Sequence, residues 1–114
     1  AMVDAGICTP EDIDKAVRFG FGFRYIAAGP AMQRDHAGLE IHAAGGATIY
    51  PTLNNSDKIA KCLSERVEGG KFGMKTGEGF YFWTAESIKA ERERYQEALR
   101  AGLKIIQKEL PEIK

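Results

Sequence analysis

The chain has 114 residues, enough for one hydrophobic core and short for an enzyme that must hold two substrates by itself. Sixteen Lys and Arg offset sixteen Asp and Glu, so there is no basic field of the kind that draws a protein to nucleic acid or anionic lipid, and neither partner is expected. No apolar run approaches the roughly 18 residues of a membrane-spanning helix, and the opening AMVDAGIC lacks the basic and long apolar stretches of a signal peptide.

The first start signal is Thr9-Pro10-Glu11-Asp12, a hydroxyl cap, a proline at the first helical position and acids where the helix dipole favours them. A short helix with Ile13, Ala16 and Val17 on one face is expected to end at Gly20. Residues 20–30, GFGFRYIAAGP, read as a loop held down by Phe21, Phe23 and Tyr25. A second helix is predicted from Pro30, capped by Gly29, to the stop at Pro51, and its small residues make it the most buried-looking element, with Leu39 on its core face.

A third helix fits from Ser56 or Asp57 to Glu68, with Ile59, Leu63 and Val67 four apart and Gly69-Gly70 as its exit. Cys62 falls on that apolar face as a core thiol, and Cys8 is too distant in pattern to share a metal with it, so two reduced cysteines in a cytoplasmic protein are expected. The last helix is capped by Thr84 and runs to Glu109 before Pro111, with Ile88, Tyr95, Leu99, Leu103, Ile106 and Leu110 forming one stripe. No strand-like alternation persists, so the fold class is all-α, a small helical bundle of about four helices.

Two glycine stretches imitate cofactor loops. Gly20-Phe21-Gly22 follows a helix and has no third glycine, and Gly77-Glu78-Gly79 runs into Phe80-Tyr81-Phe82, so neither has the strand-to-helix setting of a dinucleotide cradle. Lys75-Thr76 lacks the spacing of a phosphate loop. His36 and His42 stand roughly 120° apart on one helix, which leaves no shared metal site, and no metal is expected. Asp35 beside His36 points away from it and fits a capping or packing role. No Ser/His/Asp or Cys/His set is spaced for nucleophilic catalysis, so no catalytic residue is assigned.

Together the segments TPEDIDKAVRFGFGFR, AAGPAMQRDHAGLEI, YP and VEGGKFGMKTGEGFYFW closely resemble the C-terminal helical domain of the 3-hydroxyacyl-CoA dehydrogenase (3-hydroxybutyryl-CoA dehydrogenase-like) family over residues 4–83. The specific elements are T-P-E-D-I-D at 9–14, G-P at 29–30 with D-x-x-G-L at 35–39, and G-x-K-T-G-x-G-F-Y at 73–81. The resemblance implies that residues 1–114 are one domain, like the C-terminal domain of 6-phosphogluconate dehydrogenase, serving substrate binding and dimerisation in a larger enzyme. It implies that NAD is bound by an N-terminal Rossmann domain upstream, where the family's catalytic histidine and glutamate also lie. The reaction implied is oxidation of L-3-hydroxyacyl-CoA to 3-oxoacyl-CoA in fatty acid or butanoate metabolism. The alternatives are a relative acting on a free 3-hydroxy acid such as gulonate or carnitine, and a stand-alone helical interaction module without catalysis.

The resemblance also places the loop ending at Ala28-Gly29-Pro30 near the cleft between the two domains, where a helix N-terminus presents free N–H groups to a carbonyl or carboxylate. Arg24 is the charged substrate contact expected there, against a solvated or intradomain role. The stretch GGKFGMKTGEGFYFW at 69–83 reads as structural punctuation, with Lys75 either touching an anionic substrate or pairing locally. A homodimer is expected, with an apolar two-fold interface to which Trp83 or the final helix contributes.

Overall fold

The computed structural model describes residues 1–108, and the expected end of the last helix at Glu109, together with Leu110 and Pro111, lies outside them. Five α-helices occur among the described residues, with no strand: α1 Pro10–Phe19, α2 Pro30–Ala37, α3 Leu39–Ile49, α4 Lys61–Glu68 and α5 Ala85–Ile106. The chain divides into two compact units, Ala1–Lys58 and the part that begins at Ile59.

In the first unit, α1 starts as its sequence dictates. The Thr9 hydroxyl accepts from Asp12 N–H at 3.1 Å, and the Asp12 carboxylate accepts from Thr9 N–H at 2.9 Å, a reciprocal capping box. The expected loop after it is partly regular, because Phe21–Ile26 winds into a 3-10 turn. Gly22 lets this turn lie against α1: an ideal Cβ there would stand 2.3 Å from the carbonyl oxygen of Val17.

The single second helix expected from Pro30 to Pro51 is two helices. Gly38 takes φ +101° and ψ 125°, outside the helical region, so α2 ends and α3 begins around it. The side chains expected to be buried here are not: Leu39 is 61% exposed, and Gly46 is the one fully buried residue of α3. Gly46 is needed because the ring of Tyr50, one turn on, packs over it, with ring carbon Cε2 2.9 Å from where a Cβ would be. Pro51 then closes the segment in a short 3-10 turn, Tyr50–Thr52.

In the second unit, α4 begins at Lys61, later than the expected Ser56 or Asp57, and Ala60 caps it without a side-chain bond. The residues expected to start it are engaged in local turns, Asn54 Oδ1 accepting from Ser56 N–H at 2.9 Å and Ser56 Oγ from Lys58 N–H at 3.2 Å. Helix α5 is capped by Thr84, whose hydroxyl accepts from Ser87 N–H at 3.1 Å. Its stripe is open: Tyr95, Leu99 and Leu103 are exposed, while Ile88 and Ile106 are half-buried.

No large apolar side chain among the described residues is fully buried, and Phe82, Ile59, Phe19 and Ile7 are each at least 70% exposed. The elements are held by local caps, turns and small clusters, with their apolar faces open.

Candidate functional site

The 3-10 turn Phe21–Ile26 ends with two amides on one acceptor. Ala27 N–H and Ala28 N–H both donate to the Arg24 carbonyl, at 3.0 and 3.1 Å, which tightens the chain before Gly29 and Pro30 start α2. The Gln33 side chain, on the first turns of α2, reaches back and donates from Nε2 to the Ala28 carbonyl at 2.7 Å. This bond ties the first turns of α2 to the segment that leads into it, and between turn and helix lies a cavity of about 300 Å³.

The cavity walls come from both elements. Phe23, Arg24, Ile26, Ala27 and Ala28 line it from the turn, and Gln33 and His36 line it from α2, where their spacing of three puts them on one face. The lining is mostly apolar, with Arg24 and His36 as its ionisable groups. Neither of those side chains makes a hydrogen bond, ion pair or ring contact with another described residue. It is an open hollow with mostly apolar walls, and Phe23, Arg24 and His36 in its lining are exposed.

Of the residues expected to meet substrate, Arg24 and Ala28 therefore face one cavity, and Gly29 and Pro30 adjoin it as the cap and first residue of α2. The Ala28 N–H is engaged with Arg24 and its carbonyl with Gln33, so Ala28 shapes the wall through its backbone. Lys75 belongs to the other unit, where its Nζ lies 5.4 Å from the centroid of the Phe72 ring. Phe23, Ile26, Gln33 and His36 are additional wall residues.

His42, the second histidine, lies on α3 and outside the cavity, with Nδ1 2.8 Å from Arg34 Nη1. Among the described residues no group of three or more metal-ligating side chains comes together.

The stretch 69–83 is built as a folded brace. Gly70, Gly73 and Gly77 take φ of +71°, +95° and +80°, and Glu78 bridges to both Gly73 and Phe82. The Thr76 hydroxyl accepts from Phe72 N–H at 2.8 Å and is within donating distance of the Gly73 and Glu78 carbonyls, at 3.2 and 3.1 Å. Lys71 pairs with Glu78 at 2.6 Å. Arg66 of α4 clamps the brace, donating from Nε to the Gly79 carbonyl at 3.1 Å and from Nη1 to the Cys62 carbonyl at 2.6 Å, with its guanidinium 4.5 Å from the Phe80 ring centroid. Tyr81 and Trp83 meet edge-on at 6.3 Å.

Three comparisons with known proteins bear on this arrangement. The family described as 3-hydroxyacyl-CoA dehydrogenase, C-terminal domain, matches residues 1–83. The 5-formyl-3-hydroxy-2-methylpyridine 4-carboxylate 5-dehydrogenase of Mesorhizobium japonicum is 36% identical over 102 residues, covering 87% of this chain and 33% of that enzyme. The human mitochondrial hydroxyacyl-coenzyme A dehydrogenase is 33% identical over 82 residues, covering 70% of this chain and 25% of that enzyme. A crystal structure of a 5-formyl-3-hydroxy-2-methylpyridine 4-carboxylic acid 5-dehydrogenase, described as an NAD+ dependent dismutase, superposes with a TM-score of 0.83 at 32% identity, over 91% of this chain and 34% of that one. The chain thus spans about a third of the length of these two curated relatives or less. With the family's motifs in order and a helical fold shared with a solved dehydrogenase, the chain belongs to the 3-hydroxyacyl-CoA dehydrogenase C-terminal domain family.

Proposed function

We propose that this chain is the substrate-side and dimerisation domain of an NAD-dependent oxidoreductase of the 3-hydroxyacyl-CoA dehydrogenase type. The observation that carries the reading is the family match over residues 1–83, a segment that contains the open, mostly apolar hollow lined by Arg24. In this reading residues 1–114 act as one domain, and NAD and the groups that move the proton and hydride belong to the dinucleotide-binding domain that precedes this one in the family. Arg24, Ala28, Gly29 and Pro30 shape the substrate end, with Lys75 as a further contact. Cys8 and Cys62 form no disulfide, which suits a cytoplasmic setting.

Two substrate classes follow from the relatives. One is an L-3-hydroxyacyl-CoA, as in fatty acid or butanoate metabolism. The second is a free carboxylic acid, and a specific observation favours it: the match to the pyridine-carboxylate dehydrogenase covers 87% of the chain, against 70% for the human acyl-CoA enzyme. The whole protein that carries this chain should reduce NAD with a substrate of one class, while residues 1–114 alone should neither bind NAD at micromolar concentration nor turn over acetoacetyl-CoA. Absence of NAD-linked turnover with both classes would overturn the proposal in favour of a non-catalytic helical module.

A further inference from the structure

We infer that the cavity between the Phe21–Ile26 turn and α2 binds the carboxylate of a compact, flat-ringed substrate through Arg24 and His36. The inference rests on the reading of this chain as a substrate-side domain and deepens it. The first argument is charge. Arg24 is permanently cationic, and within the cavity no carboxylate faces it. Arg34 pairs with His42, Arg66 with two carbonyls and a ring, and Arg94 with Glu91 at 2.6 Å; Arg24, Arg92 and Arg100 have no such contact with another described residue, and of these three Arg24 is the one that lines this cavity.

The acyl end of a 3-hydroxybutyryl thioester offers a guanidinium only neutral oxygens, a carbonyl and a hydroxyl. A carboxylate offers the fork two oxygens in the geometry that guanidinium pairs with most strongly. His36 adds a second polar contact, because either neutral tautomer of its ring keeps one N–H to donate and one nitrogen to accept. Phe23 and Ile26 supply aromatic and branched walls against which a flat ring can lie.

The second argument is size. At about 300 Å³ the cavity stands at the lower end of small-molecule pockets, which run from roughly 300 to 1,000 Å³, and it suits a single ring with its substituents.

The test uses the whole protein carrying this chain and two probes, 3-hydroxypyridine-4-carboxylate and its neutral amide, with binding followed by calorimetry. The carboxylate should bind at least tenfold more tightly than the amide. Arg24→Ala should abolish that preference, Arg24→Lys should keep part of it, and His36→Gln should keep more than His36→Ala; circular dichroism checks that each variant is folded. Equal binding of the two probes to the unaltered protein, or a preference that survives Arg24→Ala, overturns the inference. Turnover of L-3-hydroxybutyryl-CoA with NAD, with a KM raised by Arg24→Ala, also overturns it and leaves the oxidoreductase reading intact. Carboxylate binding that follows Arg24 without any NAD-linked turnover supports the inference and removes the oxidoreductase reading instead.

Discussion

Arg34 and His42 are joined across the break at Gly38, with guanidinium Nη1 2.8 Å from imidazole Nδ1. A guanidinium only donates, so Nδ1 accepts and the ring proton sits on Nε2, which is buried and has no hydrogen-bond partner among the described residues. His42→Leu removes the bond to Arg34, worth about 1 kcal/mol, and also removes an orphan donor whose burial costs about 1–3 kcal/mol. The expected result in urea unfolding is no loss of stability and a gain of up to about 2 kcal/mol. A loss in the whole protein would show that Nε2 finds an acceptor there.

Two glycine substitutions should move stability in opposite directions. Gly38→Ala places a side chain at φ +101° with its Cβ 2.8 Å from Glu40 Oε1, and should destabilise by about 1–3 kcal/mol. Gly102 lies within α5 with nothing within 4 Å of an added Cβ, so Gly102→Ala should stabilise by about 0.5–1 kcal/mol. Thermal melts of both variants beside the parent decide this.

The cap of α1 makes a pH prediction. The Asp12 carboxyl is held below its ordinary value of 3.8 by the Thr9 hydroxyl and then by the Thr9 amide. A carboxylate whose folded value is depressed contributes stability that is present above the unfolded value and is lost as pH falls through the folded one. Asp12→Asn should therefore be less stable than the parent at neutral pH, and the gap should close below pH 3.8. Melting curves across that range would show a constant gap if the capping box carried no charge-dependent part.

Arg66→Lys tests the brace. A lysine cannot reach both the Cys62 and Gly79 carbonyls while covering Phe80. Loss of about 1–3 kcal/mol is expected, with faster amide exchange at Gly73, Gly79 and Trp83, whose N–H groups hold the brace together. Unchanged exchange there would place the rigidity in the glycine turns alone.

Sedimentation at micromolar concentration tests association. A dimer is expected, and a 12.5 kDa monomer would refute it. Leu99→Glu with Leu103→Glu should dissociate the dimer if the exposed stripe of α5 forms the contact. A dimer that survives places the contact on another face.

Local signals made much of this fold readable. Thr9 and Asp12, and Thr84 with its successor Ser87, are caps whose partners lie within one turn, so spacing alone locates them. The division at Gly38 was hidden because glycine is compatible with a helix and with a break, and only the positive φ decides. The late start of α4 came from Asn54 and Ser56 spending their side chains on turns, a competition that composition does not rank. At the site, Arg24 could be singled out by charge beside a glycine-proline helix start, whereas Phe23, Ile26 and His36 join it only through the way the turn folds back beside α2. Leu39 was misplaced for a different reason: hydropathy says that a side chain prefers cover, not where the cover comes from.

That last point changes what stability means for this chain. No large apolar side chain is fully buried among the described residues, so anything that covered Phe19, Ile59, Leu99 or Phe82 would add its burial energy to that of the folded chain. If the cover is a second copy, folding and assembly are one reaction by mass action, and each tenfold dilution removes about 1.4 kcal/mol from the dimer. A melting temperature for this protein then has a meaning only beside the concentration at which it was measured.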